Sequence, residues 1–300
     1  MQFTSVESWI DDRAHAVLRR LPASGIAGAL VEFVVFGLKQ GWACLFGGLL
    51  LALMLLSSRL WPTTAPLARY DFLVVAAVLI QFGMLGLRLE TLDEAKVILI
   101  FHIVGTAMEI FKTGAGSWIY PEASLLRIGG VPLFSGFMSA AVGSYLARVG
   151  RIFDFRFTRY RPLWTTVALA AAIYANFFTH HFVWDVRLLL FAAAALIYAR
   201  TVVHYRVFRF RLRMPLLVGF GLVALFIWFA ENIGTWSSAW LYPSQEDGWH
   251  PVGLEKLGAW YLLMLISFVL VTLVHRPRPL GEPIDTVPLP TNVRPASSPD

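Results

Sequence analysis

Three hundred residues would suffice for one or two soluble domains, but 57% of them are hydrophobic and only 15% are charged. A soluble domain carries about a quarter charged residues, so this deficit and the long apolar runs indicate a polytopic membrane protein. The formal net charge of +6 is carried by basic residues in short segments between apolar runs, which argues for topology determinants and against a nucleic-acid partner.

In chain order, the first segment (residues 1–24) carries Glu7, Asp11, Asp12 and Arg13 where a cleavable signal peptide would need an apolar core. Its residues Phe3, Val6, Ile10, Val17 and Leu21 recur at about helical spacing, which predicts an amphipathic helix at the membrane surface; a short solvated helix is the alternative. The apolar stretch Gly25 to Leu38 holds Glu32 and is short for a span, so an interfacial piece, a re-entrant piece and half of a tilted helix all remain open. Eight apolar runs then predict transmembrane helices: Trp42–Leu56, Phe72–Leu87, Val97–Phe111, Val131–Leu146, Trp164–Phe178, Leu188–Ala199, Leu216–Ala230 and Leu257–Val274. The expected fold is thus all-α, a membrane helix bundle over residues 25–274. Residues 275–300, rich in Pro, Ser and charge, predict a disordered tail. Cys44 is the only cysteine, so no internal disulfide forms.

Two arginine-rich segments, 148–161 and 200–213, and the tail arginines Arg276 and Arg278 should face the cytoplasm by the positive-inside bias. The ends of the third, fifth and seventh runs then share the opposite face. A doubled motif lies there. Glu109-Ile-Phe-Lys-Thr-Gly-Ala-Gly-Ser-Trp-Ile-Tyr-Pro121 aligns without a gap on Glu231-Asn-Ile-Gly-Thr-Trp-Ser-Ser-Ala-Trp-Leu-Tyr-Pro243, sharing Glu, Thr, Trp, Tyr and Pro at five of thirteen positions. Unrelated segments would share roughly one. The copies begin four runs apart and so share orientation, which predicts a partial parallel repeat about an axis along the membrane normal.

Glu109 and Glu231 are the leading candidates for chemistry. A carboxylate at that depth is costly unless paired, protonated or facing water, so the pair reads as catalytic acid and base or as a cation or proton site. The bland reading is that each Glu locks its own loop through Trp, Tyr or backbone groups. His102 lies seven residues before Glu109, on the same helical face, as a proton relay or an inter-helix hydrogen bond. His180 and His181, with Asp185 four residues on, suggest a mixed nitrogen and oxygen set for a divalent metal, or else ordinary polar lining. Trp118, Tyr120, Trp240 and Tyr242 are candidate binding residues at offsets more specific than an interfacial aromatic belt requires. Asn176, one turn before His180, and Lys112, three residues after Glu109, are candidates for polar lining or a salt bridge.

The segments Phe101–Thr113, Gly116-Ser-Trp-Ile-Tyr-Pro-Glu122, Gly130-Val-Pro-Leu-Phe-Ser-Gly-Phe-Met138, Asn176-Phe-Phe-Thr-His-His181 and Ala230-Glu-Asn-Ile-Gly-Thr235 resemble the bacterial multi-pass membrane family catalogued as domain of unknown function 817. The resemblance covers roughly residues 30 to 275 and implies a bacterial inner-membrane location, with no activity attached. A looser similarity, through Glu109, Trp118, Tyr120 and Gly130-Val-Pro-Leu133, is to carotenoid 1,2-hydratase-type membrane proteins; the doubled motif and the histidine pair depart from that outline. Three functions compete: an enzyme acting on a lipid or isoprenoid through the intramembrane Glu residues, an ion-coupled transporter, and a non-catalytic scaffold or sensor. Membrane lipids are the expected partners in each.

Overall fold

The longest helix starts from a capping box: Thr91 Oγ1 accepts from the Glu94 amide at 3.2 Å while the Glu94 carboxylate accepts from the Thr91 amide at 3.0 Å. A computed structural model describes residues 4–18, 25–62 and 64–281. Its helices are α1 (Ser5–Leu18), α2 (Ile26–Ala43), α3 (Leu45–Leu60), α4 (Arg69–Gly86), α5 (Leu92–Gly114), α6 (Phe134–Ile152), α7 (Leu163–Thr179), α8 (Arg187–Tyr198), α9 (Leu216–Trp236) and α10 (Glu255–Val274). Short strands are β1 (Arg127–Ile128), β2 (Val131–Pro132), β3 (Arg156–Thr158), β4 (Val202–Arg206) and β5 (Arg211–Pro215). Each of the eight expected apolar runs is largely helical. By length and composition α2, α4, α5, α9 and α10 qualify as membrane spans, while α3, α7 and α8 are shorter apolar helices.

The centre of the fold is the antiparallel pair α5 and α6, brought together by small residues. A Cβ on Gly105 would meet Ser139, and one on Gly136 would meet Thr106 and His102. At Gly143 a Cβ would stand 2.6 Å from the ring of Phe101, which is buried in the main core with Leu169, Ile173, Phe220 and Leu265. Such close approach is how membrane helices gain contact where lipid removes the hydrophobic driving force between them. Gly143→Ala is therefore expected to lose about 1–3 kcal/mol through overpacking, against its helix propensity. Gly48→Ala in α3, where a Cβ meets nothing within 4 Å, is expected to gain up to about 1 kcal/mol. Thermal unfolding of the purified protein reads both, and a loss at Gly48 or a gain at Gly143 would contradict this packing.

At one end of the bundle sits a network of buried ions. Arg148, with a fully buried side chain, donates to Glu90 at 3.3 Å and lies 3.9 Å from Glu94. Arg151 reaches Glu94 at 3.0 Å and Glu7 at 2.8 Å. Glu7 fastens α1 to this network and also accepts from the Trp42 indole at 3.2 Å, while Ile10 and Ala14 are buried beside it. So α1 is docked on the bundle, a tighter placement than the surface helix expected from its periodicity. Residues 19–24 of that expected segment lie outside the described residues. Helix α2 runs against the same end: Lys39 Nζ donates to the Val207 carbonyl at 2.6 Å and Glu32 accepts from the Arg209 amide at 2.9 Å. Its opposite face, with Ile26, Leu30, Phe33, Val34 and Leu38, is exposed. The stretch 25–38 thus belongs, from Ile26 on, to one continuous helix, long and apolar enough to cross a membrane.

The same end carries a sheet that the all-α expectation lacks. Strands β3, β4 and β5 pair antiparallel in that order, with Phe157 opposite Val203 and Val203 opposite Met214. The second arginine segment is thus a β-hairpin, and in its second strand Arg211-Leu-Arg-Met214 alternates polar and apolar residues with the period of two of a sheet. Asp154 gathers Arg156 at 3.0 Å, Arg211 at 2.7 Å and Arg278 at 3.4 Å. The expected disordered tail begins ordered: Phe157 donates to the Arg278 carbonyl at 2.9 Å and Leu280 donates to Phe157 at 3.2 Å. Residues 282–300 of it lie outside the described residues.

Candidate functional site

At the other end of the bundle, two loops face each other. The first leaves α5 and closes with the β1–β2 hairpin, whose two-residue turn Gly129-Gly130 takes φ of 58° and 81°, the left-handed values a primed hairpin turn needs. The second joins α9 to α10. They meet at one point: Ile119 and Leu241 exchange backbone hydrogen bonds of 2.9 and 3.0 Å. Trp118 and Tyr242 rings lie edge to face across them, 6.3 Å between centroids.

Each loop reaches back to the carboxylate that precedes it. Glu109 Oε2 accepts from the Trp118 indole at 2.8 Å and from the Tyr120 hydroxyl at 2.7 Å. Glu231 Oε1 accepts from Trp240 at 2.9 Å and Tyr242 at 2.7 Å. In both cases one oxygen takes both donors. Among the described residues, no protein group donates to Glu109 Oε1 or Glu231 Oε2. Burial and the neighbouring carboxylates push the hydroxyls of Tyr120 and Tyr242 well above the ordinary tyrosine range, so both act as donors at any physiological pH.

The start of α4 clamps both loops, and the sequence reading missed it. Arg69, buried, donates to the carbonyls of Ser237 and Ser238 at 3.1 Å each and pairs with Glu122 at 2.6 Å. Tyr70 donates to the Ala239 carbonyl at 3.0 Å. Asp71 accepts from the amides of Leu125 and Leu126 at 2.9 and 2.7 Å. Arg69-Tyr70-Asp71 lies just before the apolar run Phe72–Leu87, outside the segments that the sequence singled out.

Glu109, Glu231 and their four aromatic donors line one cavity of about 520 Å³ between α3, α5, α6, α7, α9 and α10. Its polar end also holds Lys112, His180, His181, Arg187, Glu255 and Lys256. Below this end the walls are mostly apolar, including Phe101, Met108, Met138, Phe177, Ile227 and Leu263, and reach Cys44 and Gly48 near the start of α3. From Glu255 to Leu270 along α10 the lining extends over about 22 Å at the helical rise. Pockets of this size and mostly apolar lining, with a few convergent polar groups, are the usual form of ligand sites.

The histidine pair is arranged around a cation of the chain itself. His180 Nδ1 lies 2.8 Å from the Asn176 carbonyl, which requires a proton on Nδ1 and leaves Nε2 as an acceptor. That Nε2 lies 3.4 Å from Lys112 Nζ, and His181 Nε2 lies 3.1 Å from it. The expected metal set of His180, His181 and Asp185 is not assembled. Asp185 turns instead to Asn176 Nδ2 at 3.1 Å, the Arg187 amide at 2.9 Å and the Arg187 guanidinium at 3.2 Å. Among the described residues no group of three or more His, Cys, Asp or Glu side chains is placed to hold a metal ion. The reason is that the Lys112 ammonium occupies the space onto which both imidazoles converge.

His102 also stands apart. Its ring packs on Phe137 at 4.4 Å and against Gly136, outside the cavity lining, so the two turns separating it from Glu109 take it into the α5–α6 interface. Asn176 is a hinge of the α7–α8 turn, accepting from the Val186 amide at 3.2 Å, and does not line the cavity. Lys256, whose Nζ lies 4.5 Å over the Tyr242 ring, and Arg187 and Glu255 join the site unannounced by the sequence. A charged pair opening the last apolar run was the signal for two of them.

A family model described as "Protein of unknown function (DUF817)" matches residues 32–268. The chain is 44% identical over 243 residues to the uncharacterized protein YoaT of Bacillus subtilis (strain 168), covering 81% of this chain and 91% of that one. Among solved structures it is similar to a mycobacterial Insig homolog, MvINS from Mycobacterium vanbaalenii, at a TM-score of 0.45 and 15% identity over 63% of this chain and 98% of that one. A cross-linked MvINS trimer gives the same score at 16% identity.

Proposed function

We propose that this chain, which belongs to the protein family of unknown function DUF817, is a multi-pass enzyme of the bacterial inner membrane acting on a lipid or isoprenoid through Glu109 and Glu231. The observation that carries the reading is the cavity: both carboxylates, each with one oxygen uncommitted, stand at the polar end of a space otherwise walled by apolar side chains. An amphipathic substrate would lay its chain along α10 and bring its reactive end to the two carboxylates. There one carboxylate takes up a proton while the other delivers one, and the Trp and Tyr donors hold each in register.

In this reading α3 to α10 cross the bilayer eight times. The arginine-rich end, with the C-terminus, faces the cytoplasm, and the polar end of the cavity faces outward. The doubled motif is then a parallel repeat whose two copies meet at Ile119 and Leu241.

A second reading is favoured by the same hydrogen bonds, since Trp118 and Tyr120, or Trp240 and Tyr242, would serve equally to pin a loop in a scaffold. The two separate at Glu109→Gln and Glu231→Gln. A glutamine oxygen still accepts from both donors, so the loops stay closed, but the exchangeable proton and the charge are gone. Cells carrying either variant are expected to lose about 10²-fold or more of the conversion and to show an altered lipid or isoprenoid profile, with normal amounts of inserted protein. A profile identical to wild type for both variants leaves only the pin.

A further inference from the structure

Lys112, in the last turn of α5, is buried in the cavity wall, and among the described residues it forms no ion pair. Its partners are two imidazoles, His181 Nε2 at 3.1 Å and His180 Nε2 at 3.4 Å. A lysine ammonium has donors only, so each of these Nε2 atoms accepts and carries a lone pair. For His180 the Asn176 carbonyl fixes that tautomer by accepting from Nδ1 at 2.8 Å. The Phe177 ring covers a further side of Nζ, 5.6 Å from its centroid. Two proton acceptors are thus aimed at one amine.

That arrangement suits a nucleophile better than an anchor for an anion. A lysine that holds an anion keeps its N–H groups for the ligand, whereas two of the three here point at bases of the chain itself. Lys256 and Arg187 line the same end of the cavity. An amine among apolar walls and other cations, with a base beside it, is the setting in which lysine attacks a carbonyl. The second copy of the motif has no counterpart. The position equivalent to Lys112 is Gly234, and the Trp240 ring fills the space where a side chain would begin. Lys256, the other lysine of the lining, lies over the Tyr242 ring, and among the described residues no imidazole accepts from it.

Resting on the reading of the cavity as a lipid site, we infer that Lys112 captures the aldehyde end of a long-chain lipid as an imine, with His180 and His181 carrying the protons. The step conserves atoms and charge: Lys–NH3+ and R–CHO give Lys–NH+=CH–R and water. The C=N bond forms as the C=O bond breaks. Two of the three ammonium protons leave on the carbonyl oxygen, and the third stays on nitrogen. Each imidazole takes one of those two protons from the nitrogen and hands it to the oxygen. The chain of the aldehyde lies along the apolar walls that include Met108, Met138, Ile227 and Leu263.

The test uses the purified full chain in nanodiscs of a single phosphatidylcholine, whose headgroup has no primary amine to compete. Hexadecanal and geranylgeranial are the probes, which distinguish an acyl source from an isoprenoid one, and sodium cyanoborohydride reduces an imine to a stable amine. Peptide mass mapping is expected to find at least one probe on Lys112, captured about 10²-fold or more faster than on the exposed Lys96, the scale of positioned acid–base groups. Lys112→Arg keeps the cation and its donors but forms no imine, so the fast capture disappears from the whole chain. Replacing both imidazoles, His180→Gln with His181→Gln, is expected to slow capture at Lys112 about 10²-fold. Occupancy without capture is read from quenching of Trp260, in the cavity wall, by a brominated hexadecanal, as the part of the response lost in Trp260→Phe. Capture that is absent at Lys112, equal at Lys112 and Lys96, or unchanged in the histidine double variant overturns the imine. Quenching of Trp260 in any of those cases leaves the lipid cavity standing, and its absence overturns both.

Discussion

Arg148→Met is expected to destabilise the protein by about 3–5 kcal/mol, because it strands carboxylates that are already out of water. The Arg148 side chain is fully buried, and its guanidinium is the counter-charge closest to Glu90, whose other partners are Gln81 and a Ser144 contact at 3.4 Å. Glu90 lies in the turn between α4 and α5, and burial pushes its carboxyl above the ordinary range even with Arg148 present. Removing the arginine raises it further. A carboxyl raised in the folded state binds more protons folded than unfolded, so its contribution is full below the unfolded value and is lost as pH rises through the folded one. The variant is therefore expected to lose most stability on going from mildly acidic to alkaline buffer. Thermal unfolding across that range reads it, and a variant whose midpoint rose with pH would contradict the assignment. Adding Glu90→Gln to Arg148→Met removes the stranded charge and should recover at least half of the loss, the coupling expected of two members of one network.

The second large effect is expected at Arg69. Replacing it by Leu leaves the Ser237 carbonyl without a donor, leaves the Ser238 carbonyl only the Tyr70 hydroxyl at 3.3 Å, and frees Glu122. At about 1–3 kcal/mol for a buried group left unsatisfied, a loss of about 2 kcal/mol follows. Glu122 is itself partly exposed and can return to water, so the stranded Ser237 carbonyl dominates. The loss should be local as well as global. Hydrogen exchange at residues 237–242 is expected to accelerate, and with it the opening of the Trp240 and Tyr242 bonds to Glu231, while the sheet at the arginine-rich end is unaffected. Arg69→Lys, with one point donor in place of a fork, should fall between the two. Uniform acceleration through the whole chain would show that Arg69 acts on the bundle and not on the loops.

Much of the helical architecture was legible in the sequence because apolar runs have few ways to be satisfied in lipid other than helix. The doubled motif was legible for a different reason: Glu, Trp and Tyr at offsets of nine and eleven are the residues that the hydrogen bonds join, so spacing recorded contact. What stayed hidden was held by contacts between segments far apart in the chain. The Glu7, Arg151, Glu94, Arg148 and Glu90 network draws on α1, the α4–α5 connection, α5 and α6, and no member alone marks it: Glu7 reads as the polar face of a surface helix and the others as loop charges. The β4–β5 hairpin was masked by its arginines, which answered the question of topology so readily that the period of two beneath them went unread. Lys112 illustrates the limit best. Its place one turn after Glu109 suggested a salt bridge or polar lining, whereas its partners proved to be two histidines nearly seventy residues away. Those same contacts overturned the metal set, because a ligand pattern in sequence cannot register that a cation of the chain already fills the space.

The exchange of hydrogen bonds between Ile119 and Leu241 has a consequence for how the two ends of the site can change. In a symmetric dimer, residues placed around the axis meet their own copies, and any substitution strikes both subunits at once. Here Ile119 and Leu241 pair within a single polypeptide, so each side is written separately. Position 112, three residues after Glu109, carries a lysine, and position 234, three residues after Glu231, a glycine with the Trp240 ring against it. A single mutation can therefore change the surroundings of one carboxylate and leave those of the other as they are, which two identical subunits could not reach.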